Sequence, residues 1–196
     1  YGARSRFELA HTVGTLNYTT ALLGSRRYFM TVRPWTIAVR GMNYGRSGRD
    51  AEDGQLLDLY AGYPEFVHGY GIGSFSAAEC FQGGSGPDCA VFRNLLGSRL
   101  AVANLEVHVP VPGVFHNQLE YGRLPVDLAF FTDAGLVWTS GDRHDFLGGG
   151  RTVVRSIGGA LRVNLFGLLI LELSASHPYD RVDRAVQWQI GLRQGF

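Results

Sequence analysis

Side chains that could act as nucleophiles, bases or metal ligands occur along the chain without forming a catalytic pattern. Serine, histidine and aspartate are all present, but the Gly-x-Ser-x-Gly turn that exposes a catalytic serine does not occur. The alternating glycines of "GYGIGSFS" would need a helix directly behind them to cradle a phosphate, and the sequence predicts a packed loop instead. Asp142, His144 and Asp145 could bind a metal ion, but their segment "GDRHDFLGGG" is typical of a solvated loop. We therefore expect a protein that is not an enzyme and that binds no cofactor or metal ion.

Two cysteines, Cys80 and Cys89, lie in the glycine-rich segment "AECFQGGSGPDCA". Two thiols in one loop are too few to close a zinc site. They can form a disulfide in an oxidising compartment or remain free thiols in a reducing one, and the disulfide is favoured. On the loop-entropy model such a bridge would stabilise the fold by about 2–3 kcal/mol.

The composition excludes some classes of protein and partner. The formal net charge is only +1, so the chain has no basic field for nucleic acid and we expect no nucleic-acid partner. Apolar residues make up 45% of the chain and charged residues 18%. The sequence contains no run of about 18 apolar residues, the length that would predict a transmembrane helix. The chain opens at Tyr1 without a signal peptide, so we expect it to be processed, trimmed or part of a longer protein.

Apolar and polar residues alternate with a period of two through most of the chain, which is typical of β-strands. Eight runs show this alternation, at residues 7–13, 16–22, 35–39, 101–109, 126–138, 157–165, 169–175 and 186–192. Several runs reach the roughly nine to eleven residues that a tilted strand needs to cross a bilayer. The links between runs differ greatly in length, from a tight turn at Phe166–Gly167 to a long segment at about 46–96. Such unequal links are typical of the two sides of a membrane barrel.

Alternation alone fits two all-β architectures. In a soluble sandwich the apolar face packs against a second sheet, whereas in a membrane barrel it meets lipid. Five charged residues lie on the parity opposite to the large apolar side chains, namely Asp127, Asp133, Arg162, Glu172 and Arg193. An arginine on the lipid face would cost about 2–4 kcal/mol near the midplane, so this placement fits a barrel, although a sandwich would require it too. The strand lengths and the end of the chain favour an antiparallel transmembrane β-barrel.

The chain ends with the alternating strand "AVQWQIGLRQGF". It resembles the terminal assembly signal of bacterial outer-membrane barrels, in which a polar residue, a glycine and spaced hydrophobic residues precede a final aromatic residue. Gln189, Gly191 and Phe196 match that pattern, whereas Gln194 occupies a place that is usually hydrophobic. The resemblance implies that the strand ends at the membrane interface, where an aromatic side chain is favoured.

Four internal phrases carry a more specific resemblance. "EFVHGYGIGSFS", "VANLEVHVPVPG", "LAFFTDAGLVW" and "VRSIGGALRVNLFGLLILELSASHP" occur in this order along the chain. Together with the terminal strand they resemble the C-terminal barrel half of the bacterial surface antigen family, which includes the BamA- and TamA-type outer-membrane assembly proteins and their transporter relatives. The resemblance covers nearly the whole chain.

The resemblance implies a single barrel region over residues 1–196. In that family a long loop folds back into a barrel of sixteen strands before the last five strands. Three predicted strands precede the segment at about 46–96 here and five follow it, so the resemblance implies that Tyr1 lies within the barrel and that eight strands precede it. A complete eight-stranded barrel remains the alternative, because eight strands can also close.

The resemblance also implies a contact between the inward loop and the barrel wall. The family's loop carries a motif of Val or Ile, Arg, Gly and an aromatic residue, and the arginine meets acidic residues on the wall. The matching residues here are Val67, His68, Gly69 and Tyr70, and the implied wall partners are Glu106 and Asp133. His68 replaces the family's arginine, so a side chain that titrates near neutrality replaces a permanent charge. We expect a weaker or pH-sensitive contact.

The function implied by the resemblance is the assembly, insertion or translocation of proteins at the bacterial outer membrane. The implied partners are outer-membrane lipid, client outer-membrane or secreted proteins, and periplasmic accessory proteins. A passive pore, or a structural anchor fused to an upstream domain, is the alternative, because one fold serves many tasks.

Overall fold

The computed structural model describes residues 2–32, 35–76, 79–80, 90–111, 126–142, 151–165, 168–183 and 185–194. The strands in these residues are β1 (Gly2–Thr12), β2 (Tyr18–Val32), β3 (Trp35–Ser47), β4 (Leu59–Tyr60), β5 (Leu96–Gly97), β6 (Arg99–Pro110), β7 (Val126–Trp138), β8 (Val154–Leu165), β9 (Leu169–Pro178) and β10 (Gln187–Gln194). Short helical turns occur at Ile72–Ser74 and Ala90–Arg93. No helix in the described ranges is long and apolar enough to cross a membrane.

Eight of these strands form one antiparallel sheet in the order β1-β2-β3-β6-β7-β8-β9-β10. Each strand pairs with its neighbour in the chain, except that β3 pairs with β6 across the long segment of residues 48–98, which we call the inward loop. The two-residue strands β4 and β5 pair with each other within that loop. Over the described residues β1 and β10 are the edges of the sheet, and the sheet is not closed.

The apolar face of the sheet is exposed and the polar face is buried, which is the reverse of a soluble sandwich. On β7 the apolar Phe130 is 54% exposed, whereas Asp133 is only 2% exposed. On β9 Leu173 is 39% exposed, whereas its neighbour Glu172 is 1% exposed. The outer face is therefore apolar and open, and the inner face is polar and covered. A sheet with this pattern is suited to a membrane barrel, in which lipid covers the apolar face.

The inward loop covers part of the inner face and forms a small apolar core with it. The buried members of this core come from the loop and from the ends of β6, β7 and β8, and they are Tyr60, Ala61, Val67, Tyr70, Leu95, Leu100, Val102, Val137 and Val154. A second small cluster lies further along the same face and consists of Ala129, Phe131 and Ala160. Burial of these side chains helps to hold the loop against the sheet.

The predicted fold class, an all-β antiparallel barrel sheet, is confirmed. The eight predicted runs correspond to the eight strands of the sheet, three before the inward loop and five after it. Most strands are longer than the runs; the run at 16–22, for example, begins two residues before the 15-residue β2, which continues for ten residues beyond it. Gly24 and Arg26 interrupt the alternation of apolar residues there, but backbone pairing with the neighbouring strands continues through both. Polar and small residues on the inner face thus conceal the true strand length.

The outer face predicts a depth-dependent cost for charge. Leu161 lies near the middle of β8, and Leu165 lies at its end on the same face. In protein reconstituted in lipid vesicles, Leu161→Arg should lower the free energy of unfolding by about 2–4 kcal/mol and Leu165→Arg by about 0–1 kcal/mol. Urea titration followed by tryptophan fluorescence measures both values. Equal costs at the two positions would contradict a lipid-facing outer surface.

Candidate functional site

The sequence motif Val67–Tyr70 lies against the inner face of the sheet. Val67 and Tyr70 are fully buried, and His68 is only 2% exposed. Asn104 on β6 donates from its side-chain amide to the backbone carbonyl just before the motif, at 2.7 Å. The motif is therefore held within the fold and does not project into solvent.

His68 bonds to Asp133 on β7 through two separate groups. Its backbone N–H donates to Asp133 Oδ2 at 3.1 Å, and its ring Nδ1 lies 2.7 Å from the same oxygen. The Asp133 carboxylate also accepts from Asn104 Nδ2 at 2.8 Å and from Ser156 Oγ at 3.3 Å. The wall thus fixes Asp133 from both neighbouring strands, and Asp133 fixes the loop. The structure brings together this predicted pair of residues.

The second ring nitrogen of His68 faces another carboxylate. Its Nε2 lies 3.3 Å from Glu172 Oε1 on β9. An ionised carboxylate can only accept, so both ring nitrogens must carry hydrogen for both contacts to be hydrogen bonds. The ring also stacks on Phe131, with 3.9 Å between ring centroids and 25° between ring planes, an arrangement that favours a cation over an aromatic face. The pocket therefore suits the protonated imidazolium.

The electrostatics of the loop residue agree with this geometry. Burial disfavours the charged form of His68, but the hydrogen bonds to Asp133 and Glu172, with the charges of both carboxylates, outweigh it and raise the pKa of His68 above its ordinary value. The charged groups facing the ring come from β7 and β9, and Arg162 on β8 pairs in turn with Glu172. His68 between Asp133 and Glu172 is thus a contact whose strength depends on protonation of the imidazole, and we call it the His68 clamp.

Glu106, the other implied wall partner, is connected to the motif through Arg162 and Glu172. Arg162 on β8 donates from Nη1 to Glu106 Oε2 at 2.9 Å and from Nε to Glu172 Oε2 at 2.6 Å. Glu106 also lies within 2.9 Å of His108 Nε2 and within 3.3 Å of Arg26 Nη2. Arg162 and Glu172 thus connect Glu106 to His68, and the carboxylate beside the His68 ring Nε2 is Glu172.

Gly69 occupies a position that other residues would strain. Its φ is +86°, and a Cβ built there would lie 2.9 Å from Ser176 Oγ on β9. Its backbone N–H donates to Oε1 of Gln189 on β10, at 3.2 Å. Gln189, matched to the terminal assembly signal in the sequence, therefore also contacts the inward loop. The motif spans the inner face from β7 to β10.

The outer two motif residues fit spaces that the wall provides. A Cβ at Gly135 on β7 would lie 2.6 Å from Cγ2 of Val67, so the glycine leaves room for that side chain. The Tyr70 hydroxyl donates to the backbone carbonyl of Arg155 at 2.9 Å and accepts from the backbone N–H of Asp180 at 3.2 Å. Valine and tyrosine thus dock the motif on each side of the His68 clamp.

The remaining predicted residues have different outcomes. Gly191 lies on β10 and pairs with Glu172 on β9. Phe196 and Cys89 lie outside the described residues, as do His144 and Asp145. The role of Phe196 and the bridge between Cys80 and Cys89 therefore stay predictions.

Sequence reasoning missed two functional contacts of the loop. The sequence indicated part of the role of Glu172, because its parity places it on the inner face, but alternation does not show at which position along the strand a residue meets the loop. Nothing in the sequence indicated the role of Arg181, because it lies in the link between β9 and β10, where an arginine is normally exposed to solvent. Within the described ranges, no group of three or more His, Cys, Asp or Glu residues could hold a metal ion.

Comparison with known families agrees with this architecture. The family model for the Omp85 superfamily domain matches residues 4–194, which is nearly the whole chain. No curated protein matches the chain. The resemblance read from the sequence, to the surface antigen family and its BamA- and TamA-type barrels, is confirmed at the level of the superfamily. Membership implies an outer-membrane location in general.

The His68 clamp predicts that the loop is held more firmly at low pH. Because the pKa of His68 is raised on folding, its protonation stabilises the docked loop fully below about pH 6.5 and is lost as the pH rises through the raised pKa. Amide protection factors over residues 66–70, measured by hydrogen–deuterium exchange, should therefore be higher at pH 5 than at pH 8.

Two variants at position 68 test the cause. His68→Gln should lower protection at pH 5 towards the level at pH 8, because glutamine cannot take the charge. His68→Arg should flatten the response, because an arginine stays charged over this range. A pH response that persists in His68→Gln would assign it to another group.

Proposed function

We propose that this chain, which belongs to the Omp85 superfamily, is the membrane-embedded part of a machine that assembles, inserts or translocates proteins at the bacterial outer membrane. Its partners are outer-membrane lipid, client outer-membrane or secreted proteins, and periplasmic accessory proteins. The proposed role needs no enzymatic activity, because strand pairing and burial in lipid drive the insertion of a barrel.

The properties of the two sheet faces support this proposal. The apolar outer face suits contact with acyl chains, and the charged inner face suits a watery interior. On the inner face Arg26, Arg162 and His68 are each close to a carboxylate, so the charges that the interior needs are largely compensated. Such an interior can admit polar segments of a client chain without exposing unpaired charge.

The contact between the loop and the terminal strand is the observation that carries the proposal. Gly69 of the inward loop bonds to Gln189 on β10, which is an edge strand of the sheet over the described residues. An unpaired strand edge can accept an incoming strand by backbone hydrogen bonding. The loop thus touches the strand that would meet a client.

A passive pore or a structural anchor remains the second candidate. It would share the lipid-facing surface and the polar interior, but it has no need of a loop that bonds to the terminal strand. The two candidates therefore differ in whether the protein speeds the folding of another barrel, and not in whether it enters a membrane.

A reconstitution assay separates the two candidates. The protein that carries this chain is placed in lipid vesicles, and a urea-unfolded eight-stranded outer-membrane barrel is added as the probe. Under the proposal, the probe folds several times faster than in empty vesicles, as measured by the heat-modifiable band on a gel. A folding rate equal to that of empty vesicles, with ion conductance present, would establish the passive pore.

A matched pair of variants on β7 tests the part played by the loop. Asp133→Asn removes the charge that holds His68, and it should slow folding of the probe severalfold. Asp127→Asn changes the same kind of residue on the same strand and face, but Asp127 bonds to His108 rather than to the loop. It should leave the rate nearly unchanged, and equal losses in both variants would count against a role for the loop.

We also propose that Cys80 and Cys89 form a disulfide within the inward loop. The oxidising compartments outside the cytoplasm favour such bridges. In protein purified without reductant, the tryptic segment 50–93 should take up alkylating reagent only after reduction. In Cys89→Ser protein Cys80 should react without reduction, and labelling of both thiols in the untreated wild type would exclude the bridge.

A further inference from the structure

We propose that Arg181 anchors the β9–β10 hairpin to the inward loop, so that docking of the loop and the position of the terminal strand depend on one another. Arg181 belongs to the link of residues 179–186 between β9 and β10, and its partners belong to the loop. This role deepens the proposed function, on which its importance for client assembly rests.

The Arg181 side chain is fully buried although it lies in a link between strands. Its Nη1 donates to the carbonyl oxygen of Gly69 and to Oγ of Ser74, both at 2.8 Å. Its Nη2 donates to the carbonyl oxygen of Ser74 and to Glu79 Oε1, both at 2.7 Å, and its Nε donates to Glu79 Oε2 at 3.1 Å. The guanidinium therefore uses all three of its nitrogens to bind the loop.

The pairing with Glu79 makes this contact specific for arginine. Two parallel bonds join the guanidinium to the two oxygens of a buried carboxylate, and the guanidinium also lies 4.4 Å from the ring centroid of Phe75. Lysine offers one nitrogen and cannot reproduce this fork. If either partner of a buried pair is removed, the other charge is left uncompensated, which is strongly destabilising.

Gly69 connects this contact to the terminal strand. Its N–H bonds to Gln189 on β10, and its carbonyl oxygen accepts from Arg181 in the link that leads into β10. One residue of the loop is thus held from two points of the same hairpin. Release of the loop at Gly69 therefore breaks both of these bonds to the hairpin, and displacement of the whole hairpin from the loop breaks the same two bonds.

Arg181 and His68 hold the same loop in different ways. His68 bonds to β7 and β9 through a side chain whose charge depends on pH, whereas arginine stays charged at all pH values of interest. The sequence motif lacks a permanent cation at position 68. In the structure the permanent cation is Arg181, which lies in the β9–β10 link, and its carboxylate partner Glu79 lies in the loop.

Hydrogen–deuterium exchange of the reconstituted protein, without any client, tests the anchor. In Arg181→Ala, peptides covering residues 66–76 and 186–194 should both exchange at least about tenfold faster, because a buried ion pair is lost. A peptide from β2, covering residues 18–32, should be unchanged. Faster exchange confined to the loop, with residues 186–194 unchanged, would overturn the coupling.

A pH profile tests whether Arg181 and His68 hold the same loop. Their contributions to the free energy of opening the loop add, so in Arg181→Ala the protection factors over residues 66–70 should fall by a similar factor at pH 5 and at pH 8 and should keep the pH dependence of the wild type. Protection factors over residues 66–70 equal to those of the wild type at both pH values would mean that Arg181 does not hold this loop, and this would refute the proposal.

Milder and control variants cover a failure of Arg181→Ala to fold. Arg181→Lys and Glu79→Gln each retain a polar side chain, and both should speed exchange in the loop and in β10 by a smaller factor. Arg155→Ala is the matched control, because Arg155 is exposed and pairs with Asp180 in the same link. It should change neither peptide. The proposed function could still fail in the client-folding assay while these exchange results hold, so the two failures are distinguishable.

Discussion

The fold depends on one constraint: a sheet that presents its apolar side chains to lipid must bury its charges on the other face. On β8 and β9 this places Arg162 and Glu172 opposite one another in register, and their side chains bond at 2.6 Å. Each inner-face charge needs a partner within reach, since water alone does not cover a buried charge. Ion pairs among β2, β6, β8 and β9 supply such partners for Arg26, Glu106, Arg162 and Glu172, and the register of the strands decides which pairs can form.

The inward loop covers part of the inner face of the sheet and supplies a partner for two of its carboxylates. It brings its own apolar residues to the ends of β6, β7 and β8, and it inserts His68 between Asp133 and Glu172. The same loop carries Glu79, which pairs with Arg181 from the sheet side. The loop therefore supplies a basic side chain to carboxylates of the strands, and the β9–β10 link supplies one to a carboxylate of the loop. The loop is therefore docked on the inner face both by ion pairs and by apolar packing.

Much of this could be predicted from the sequence, because alternation is a local property. The period of two assigns each strand residue to a face, and the residue pattern alone puts Asp133 and Glu172 on the inner face. It does not give the depth at which a loop meets the wall, so Glu106 is the expected partner, whereas Glu172 lies beside the His68 ring. The burial of Arg181 could not be predicted for a further reason: residues in a link show no alternation, and their burial depends on tertiary packing alone.

The histidine of the motif is understandable once its neighbours are known. Asp133 already accepts from Asn104 and Ser156, and Glu172 already accepts from Arg162. The wall acids are thus partly compensated before the loop arrives, and a permanent cation at position 68 is not required to bury them. A titratable side chain is then sufficient there, while Arg181 holds the same turn through Gly69 and through its pair with Glu79. The loop is thus held by two basic residues, His68 and Arg181, where the motif of the surface antigen family has one arginine, and protonation of His68 strengthens its contact with the wall acids.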